Sequence, residues 1–321
     1  MSEQMLGWLH SLFGPVVDWK QVLLLSMTPV FLLAFLTEWS VFRLRSGSWQ
    51  TAPGERFYWK EVLANVSLGY GYYAAEAIMH LLLVGAIFAT VYEHRLWTLP
   101  ITVWTVPLVF VIEEFCYYWY HRAAHRVRWF WSQHVSHHSG EIMNMSTASR
   151  QSILNGGIGV WLFFLPPIFL GVHPGLIALM LGVNLTYQFF IHTEVVGKFH
   201  PFLEWLLDTP SNHRVHHGRN AQYIDKNYGG VLMIFDHLFG TYEPEVEKVE
   251  YGTPRQIKSY NFLVLNCHEF VDMLRDVAAP GPLWQRLKHL WMPPDWQRPG
   301  HTPIHTWTVE RKLPAGEPVK A

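Results

Sequence analysis

The chain has 321 residues, and its 24 Lys and Arg against 25 Asp and Glu give a formal net charge of −1. This balance argues against a nucleic-acid-binding protein, which usually carries a basic excess. Half of the residues are hydrophobic and 15% are charged, below the roughly 25% of soluble domains, so the composition favours a membrane protein.

Apolar stretches of the length that spans a bilayer, about 20 residues, dominate the part of the chain before residue 196. We predict five spans: three from Val22–Phe42, Val62–Tyr92 and Leu99–Tyr120, and two from Ile153–Phe190, which is broken at Gly171–Gly175. The stretch Val62–Tyr92 is too long for one untilted span, so we expect a kink near Gly69 and Gly71 or an extension into water.

Basic residues on one side of these spans predict their orientation. They are Arg43, Arg45, Arg56 and Lys60 beside the first two spans, and Arg122, Arg126, Arg128 and Arg150 beyond the third. By the positive-inside tendency both groups are cytoplasmic. The N-terminus is then predicted to lie outside. If the protein is bacterial, the membrane is expected to be the cell inner membrane.

Three histidine clusters follow the third predicted span, each with a spacing that places its rings on one face of a helix. They are His121 and His125; His134, His137 and His138; and His213, His216 and His217. Eight imidazoles exceed the four ligands of an ordinary zinc site. The pattern therefore predicts two neighbouring metal ions, the alternative being a histidine-rich surface.

These patterns predict an all-α integral membrane protein with about five transmembrane helices, capped by a cytosolic, helical, histidine-rich domain that holds two metals. The expected division is 1–104 for the N-terminal membrane helices, 105–245 for the catalytic domain and 246–321 for a cytosolic tail. Within the tail we expect an amphipathic helix around Leu263–Val277, and His289 to be replaceable without effect.

Imidazole ligands suit zinc, copper, iron and nickel, so the histidines alone leave the metal open. Neither the metalloprotease motif H-E-x-x-H nor the serine hydrolase motif G-x-S-x-G occurs in the chain. Attachment to membrane spans points to a lipid substrate, and zinc lacks redox chemistry. The pattern favours paired iron that activates O2 to attack a C–H bond.

The clusters, their order and their place after membrane spans resemble the fatty acid hydroxylase/sterol desaturase superfamily over residues 105–245. The segments that carry this resemblance are 119–125, 133–139 and 211–220, and the segments 144–152, 224–230 and 235–242 are similar to its alkylglycerol monooxygenase branch. The resemblance implies a non-haem di-iron enzyme that hydroxylates a lipid. Its electrons would come from a separate donor, namely a reduced pterin, cytochrome b5 or ferredoxin.

The resemblance also assigns further site residues. His192 stands where relatives often carry a histidine pair and is expected to be the ninth ligand, while Asn212 occupies a place that is histidine in some relatives. Glu114 lies two helical turns before His121 and is expected to orient its ring, because ligating histidines usually donate their second N–H to a carboxylate or carbonyl. Glu113 is expected to point elsewhere.

Other ionisable residues have two interpretations each. Asp225 and Asp236 either orient the third cluster or cap helices. Glu76 and His80, four positions apart in an apolar stretch, either line the substrate path or pair with each other. The remaining single histidines are expected at the surface or in packing: His10, His94, His200, His237, His268, His289, His301 and His305.

The rival functions are a lipid desaturase with the same metal site, a metal-transporting or metal-binding membrane protein, and a structural zinc domain. A transporter needs ligands at the bilayer midplane, whereas these clusters lie at the ends of spans. A structural zinc domain with so many histidines and no thiolate ligand would be unusual. Hydroxylation is the favoured outcome.

Overall fold

A computed structural model describes residues 17–46 and 59–301, with the side chains of residues 45 and 46 excepted. Arg56, His10 and His305, together with the side chain of Arg45, lie outside the described residues. Within these ranges the chain forms helices and no strand; two isolated bridges join Leu207 to Leu232 and Gly218 to Tyr251. The all-helical prediction is confirmed for this part of the chain.

The helices up to and including the one that carries the first histidine cluster are largely apolar. They are α1 (Trp19–Ser26), α2 (Thr28–Ser46), α3 (Trp59–Met79), a π-helical turn (His80–Val84), α4 (Gly85–Glu93) and α5 (Thr105–Arg126). The later helices, of which the fourth and the eighth are the longest, are α6 (Arg128–His138), α7 (Asn155–Ile158), α8 (Leu165–Leu170), α9 (Pro174–Ile191), α10 (Pro201–Leu206), α11 (Pro210–His216), α12 (Ile234–Phe239), α13 (Phe262–Ala278) and α14 (Leu283–Leu287). Short 3-10 turns lie at Met145–Ser149, Val160–Phe164 and Lys288–Leu290.

Two helical runs are long and apolar enough to cross a membrane, Trp59–Glu93 and Pro174–Ile191. A third candidate is the pair Trp19–Ser26 and Thr28–Leu44, which is bent by 48°. The run Trp59–Glu93 has 35 residues, about 50 Å at 1.5 Å per residue, which exceeds the roughly 30 Å hydrocarbon layer. The described residues therefore contain two to three candidate spans.

The helix is continuous through Gly69 and Gly71, where a kink was one of the two predicted alternatives, and it changes to a π turn at His80–Val84. The two glycines instead permit close packing: a Cβ on Gly69 would lie 2.9 Å from the Ser149 carbonyl oxygen, and one on Gly71 would lie 2.7 Å from the Phe262 ring. The predicted break at Gly171–Gly175 is present. Helix α8 ends at Gly171, whose φ of 118° favours glycine, and α9 begins at Pro174.

An apolar core joins α4, α5, α8 and α9 away from the histidines, and it contains Phe88, Cys116, Ile168 and Ile177. Helix α13 packs on α6, where Ser136 Oγ donates to the Leu265 carbonyl at 2.6 Å. Arg150 is fully buried, and its guanidinium donates to the Ser136 carbonyl and to Asn65 Oδ1. These contacts fix α6, which carries the second histidine cluster.

Candidate metal centre

Nine histidines converge in two buried groups, and they are the nine predicted from the sequence. The first group contains His121, His125, His134, His138 and His216; the second contains His137, His192, His213 and His217. Within each group one ring nitrogen per residue lies within 4.8 Å of the others. Each group therefore fits one metal ion.

Adjacent histidines in the sequence belong to different groups. His137 joins the second group and His138 the first, while His216 joins the first group and His217 the second. Successive residues on an α-helix point about 100° apart, so one HH pair serves two ions. The ring centroids of His138 and His217 are 4.4 Å apart, which makes the two groups immediate neighbours.

Short, well-defined helices aim these rings. Helices α5 and α6 are separated by Val127, which has extended backbone angles, so the first two clusters face each other. Helix α11 begins with Pro210 after Thr209, whose side chain accepts from Asn212 N, a favoured N-terminal arrangement. His213 and His216 therefore share one face, and His217 follows at the C-cap.

Five rings donate their Nδ1 hydrogen to an oxygen atom. The acceptors are the carbonyls of Tyr228 (for His121, 2.9 Å), Arg150 (His137, 3.2 Å), Gln188 (His192, 2.6 Å) and Lys226 (His216, 3.1 Å), and Oδ2 of Asp208 (His213, 2.9 Å). A neutral imidazole has a single N–H. Each of these rings therefore presents the Nε2 lone pair to the centre.

In the second group these lone pairs face each other. The Nε2 of His192 lies 2.9 Å from that of His213 and 3.3 Å from that of His137. Nitrogens bound at about 2.0–2.1 Å to one tetrahedral ion would lie about 3.3 Å apart. Across the described residues, the buried Nε2 of His217 has no hydrogen-bond partner. A cation satisfies all four nitrogens, whereas protons cannot.

Burial keeps these rings neutral, which metal binding requires. Desolvation lowers the pKa of His192 and His216 to about 4. It also lowers the pKa of His137, His213 and His217, helped by the neighbouring rings. The centre is thus built from uncharged nitrogen donors.

Glu114 does not contact His121, which corrects the expected direct orientation of that ring. Its Oε2 accepts hydrogen bonds from the backbone N–H groups of Val231 (2.9 Å) and Leu232 (2.8 Å). Seven positions on a helix correspond to about 10 Å, too far for a glutamate to reach the His121 ring. Glu114 instead fixes the loop after Tyr228, whose carbonyl holds His121.

Glu113 also lies beside Glu114 rather than apart from the network. Asn184 Nδ2 donates to Glu114 Oε1 at 2.7 Å and lies 3.4 Å from both carboxylate oxygens of Glu113. Both carboxylates are buried. The pair thus links α5 to α9 through one amide.

The two suspected aspartates act on the first group. Asp236 accepts from the backbone N–H groups of Tyr228 (2.8 Å) and Gly229 (2.7 Å) and so holds the Tyr228 carbonyl. Asp225 Oδ1 lies 3.9 Å from His125 Nδ1. These contacts lead to the two rings of the first cluster, to His121 through the Tyr228 carbonyl and to His125 directly.

Asp208 was not identified from the sequence, although it holds His213 directly. The signal in the sequence was an aspartate five residues before His213, immediately before the helix start at Thr209 and Pro210. Asn212 belongs to neither ligand group; its Nδ2 donates to the carbonyls of Glu204 (2.7 Å) and Leu207 (3.0 Å). It braces the turn before α11.

Glu76 and His80 line a cavity and have other partners. Lys20 donates to Glu76 at 2.9 Å, and His80 Nδ1 lies 3.9 Å from Asp18 Oδ2. Of the single histidines, His94 is exposed, whereas His289 is buried and its Nδ1 lies 3.2 Å from Arg128 Nη1. This contact removes the basis for expecting His289 to be replaceable.

The cavity has a volume of about 170 Å³ and reaches the centre, since His134, His137 and His192 form part of its wall. Its other end is apolar and includes Phe88 and Ile177. Ile177 precedes His192 by fifteen positions, about 22 Å along the helix. An elongated, mostly apolar molecule therefore fits beside the metal centre.

The part of the chain that contains the nine histidines is similar to known proteins. Residues 106–241 match the family model described as fatty acid hydroxylase. Alkylglycerol monooxygenase of Homo sapiens is 42% identical over 205 residues, 64% of this chain and 45% of that protein. The enzyme of the same name from Caenorhabditis elegans is 37% identical over 230 residues, 66% of this chain and 43% of that protein.

Very-long-chain aldehyde decarbonylase GL1-7 of Oryza sativa subsp. japonica is 28% identical over 150 residues, 42% of this chain and 22% of that protein. The chain spans less than half the length of these relatives. No solved structure shows a significant match. The resemblance to the superfamily and to its alkylglycerol monooxygenase branch is thereby confirmed.

Proposed function

Because residues 106–241 form a domain of the fatty acid hydroxylase family, we propose that the protein is a membrane-bound, non-haem di-iron monooxygenase. It hydroxylates a C–H bond of a lipid with O2 and external electrons. The observation that carries this proposal is the pair of all-histidine groups that adjoin the end of an elongated cavity.

Iron is proposed as the resident metal because insertion of oxygen into a C–H bond needs redox chemistry, which zinc lacks. When bound, the iron pair would activate O2. The first ion would be held by His121, His125, His134, His138 and His216, and the second by His137, His192, His213 and His217. Glu114 is a positioning residue that acts through the Tyr228 loop.

The chain's own residues would orient the ligands and the substrate. Backbone carbonyls and Asp208 would hold the ligand rings in one tautomer. Loss of such a hydrogen-bond partner typically lowers metal affinity or activity by about 10–100-fold. The apolar walls at Phe88 and Ile177 would take an alkyl chain and exclude water. Gln151, whose Nε2 lies 3.3 Å from His137 Nδ1, lines the cavity at its metal end.

An ether lipid is the proposed substrate, ahead of a fatty acyl or sterol-like lipid, because the similar proteins from Homo sapiens and Caenorhabditis elegans are named for alkylglycerols. The electron donor is proposed to be a separate reduced pterin, cytochrome b5 or ferredoxin. Residues 105–245 would be the catalytic domain, between membrane helices in 1–104 and a C-terminal tail in 246–321.

The histidine centre is proposed to face the cytosol, in line with the arginines near it. Five crossings would require α5 and the short apolar segment Val160–Leu170 in addition to the two or three candidate spans. Cysteine labelling at Glu93 and Gly218 tests this topology. Labelling of Gly218 from the outside only would contradict it.

The decisive experiment is isotopic. Protein purified in detergent and loaded with Fe2+ is mixed with a reductant, 18O2 and 1-O-hexadecylglycerol, and the products are examined by mass spectrometry. One 18O atom per product and two irons per chain are expected, with the His137→Ala variant as the inactive control. A product without 18O, or one iron per chain, would contradict the proposal. Zinc in the purified protein would not, because zinc outcompetes Fe2+ at such sites.

A further inference from the structure

Charged and polar side chains form a cluster on the wall of the cavity that leads to the metal centre. Its members are Asp18, Lys20, Tyr72, Glu76 and Asn155, and all five line the same cavity as His134, His137 and His192. No ligand role in the metal centre involves them. We name this set the Lys20 cluster.

The contacts within the Lys20 cluster are specific. Lys20 Nζ lies 2.9 Å from Glu76 Oε2, 3.5 Å from the Tyr72 hydroxyl and 3.9 Å from Asp18 Oδ2. Asn155 Nδ2 donates to Glu76 Oε1 at 3.2 Å. Lys20 is 8% exposed, so its ammonium group sits inside the protein rather than at the surface.

Stability alone does not account for this cluster. Lys20 and Glu76 belong to candidate membrane spans, where charged residues are unfavourable and usually functional. A buried ion pair is often no more stable than an apolar pair of similar volume. The charges therefore point to a ligand that enters the cavity.

Two glycines make room for the cluster. A Cβ on Gly182 would lie 3.1 Å from the Lys20 Cα, and one on Gly156 would lie 2.9 Å from Glu76 Oε1. Gly182 precedes His192 by ten positions, about 15 Å along α9. The Lys20 cluster and the metal centre therefore lie at different levels along α9 on the wall of one cavity.

We propose that Lys20, Glu76 and Asn155 form a subsite for an uncharged, hydroxyl-bearing head group of the lipid substrate. One ammonium group faces two carboxylates, so the cluster has no positive excess to attract a phosphate or a carboxylate. Hydroxyl groups both donate and accept, which matches the alternating donors and acceptors of the cluster. This inference rests on the proposed function and specifies its substrate class as neutral lipids with free hydroxyls.

The test compares two ether lipids that differ only in the head group. The probes are 1-O-hexadecylglycerol, which has two hydroxyls, and hexadecyl methyl ether, which has none, and the readout is the ratio of their kcat/KM values. Lys20→Met and Glu76→Gln are expected to reduce the preference for the diol by about tenfold or more, since each removes hydrogen bonds to a charged group. Turnover of the methyl ether is expected to stay unchanged.

Two further variants separate recognition from folding. Gly156→Ala keeps every charge but pushes on the Glu76 carboxylate, so it should lower the same ratio. Met79→Leu alters an apolar residue of the same cavity wall and should leave the ratio at the wild-type value. A parallel fall in turnover of both probes, or an unchanged ratio in Lys20→Met, Glu76→Gln and Gly156→Ala, would overturn the subsite.

Equilibrium binding of 1-O-hexadecylglycerol to the metal-loaded protein distinguishes this inference from the proposed function. Binding that weakens about tenfold in Lys20→Met supports the subsite even if no ether is oxidised, in which case the proposed function fails alone. Equal binding by wild type and both charge variants overturns the subsite even if oxidation proceeds.

Discussion

Two regions of the molecule bring histidine rings together, and the atoms that the ring nitrogens face differ between them. In the metal centre, ring nitrogens face other ring nitrogens, as in the 2.9 Å approach of His213 to His192. In the C-terminal region, His301 Nε2 lies 2.8 Å from Asp276 Oδ1, and His289 lies beside Arg128. The second region balances its own charges, because Arg128 also donates to Glu269 and Asp276 at 2.7 Å each.

The difference shows which buried histidines need a metal. Ring nitrogens whose lone pairs face one another repel unless a cation lies between them, whereas His289 and His301 face a guanidinium and a carboxylate. Burial by itself does not identify a ligand, since His289 is 1% exposed and His216 is 3% exposed. The identity of the facing atoms does.

The largest effect is expected from removing a ligand. His137→Ala or His216→Ala should lower turnover more than about 100-fold, beyond the range of changes around the ligands, and should reduce bound iron measured by elemental analysis. Membrane insertion should be retained, because lipid and helix packing drive it. The exposed His94→Ala variant is the control. Full oxygen-dependent activity in His137→Ala would refute the metal centre.

Arg128→Ala should reduce stability rather than metal binding. Glu269 and Asp276 would lose the guanidinium that contacts each of them at 2.7 Å, and breaking a buried ion pair costs about 3–5 kcal/mol. Thermal unfolding in detergent measures this change. Arg275→Ala is the matched control, because the Arg275 side chain is 61% exposed and its buried partner Asp272 keeps Arg255 at 2.8 Å; an exposed arginine of this kind contributes about 0–1 kcal/mol. Loss of iron from folded Arg128→Ala protein would show that the C-terminal region also supports metal binding, contrary to this prediction.

Asp208→Asn should weaken the metal centre without unfolding the protein. It removes the charge that holds His213 Nδ1–H, and such changes cost about 10–100-fold in metal affinity or activity. Competition with a metal chelator measures the affinity. Glu250→Gln, on an exposed pair with Arg219, should match wild type. An Asp208→Asn affinity equal to wild type would show that the carboxylate has no part in orienting the ligand.

Glu114→Gln should have the smallest effect, about tenfold or less, because glutamine keeps one oxygen for the backbone N–H groups of Val231 and Leu232. Turnover and iron content should fall together, since the variant acts on His121 through the Tyr228 carbonyl. Iron content at the wild-type level with no turnover would instead place Glu114 among the reacting groups.

The sequence predicted the histidines that converge but not all the groups around them. Glu114 and His121 lie on one helix face, and the sequence therefore paired them, yet the acceptor for His121 comes from Tyr228, 107 positions away. Asp208 escaped notice because a single carboxylate before a helix usually signals a cap. Long-range partners of this kind depend on how helices pack.

The sequence by itself predicted the nine histidines that converge: eight from their spacing, because histidines three or four positions apart share a helix face whatever the rest of the fold does, and His192 from the family resemblance. It also determined the apolar helices, because about 20 apolar residues suffice to signal a span. Only the tertiary structure divided these histidines into groups of five and four and brought Lys20 to Glu76 across 56 positions. Spacing fixes the direction of a side chain along its own helix, whereas the partner it meets is fixed by the packing of one helix against another.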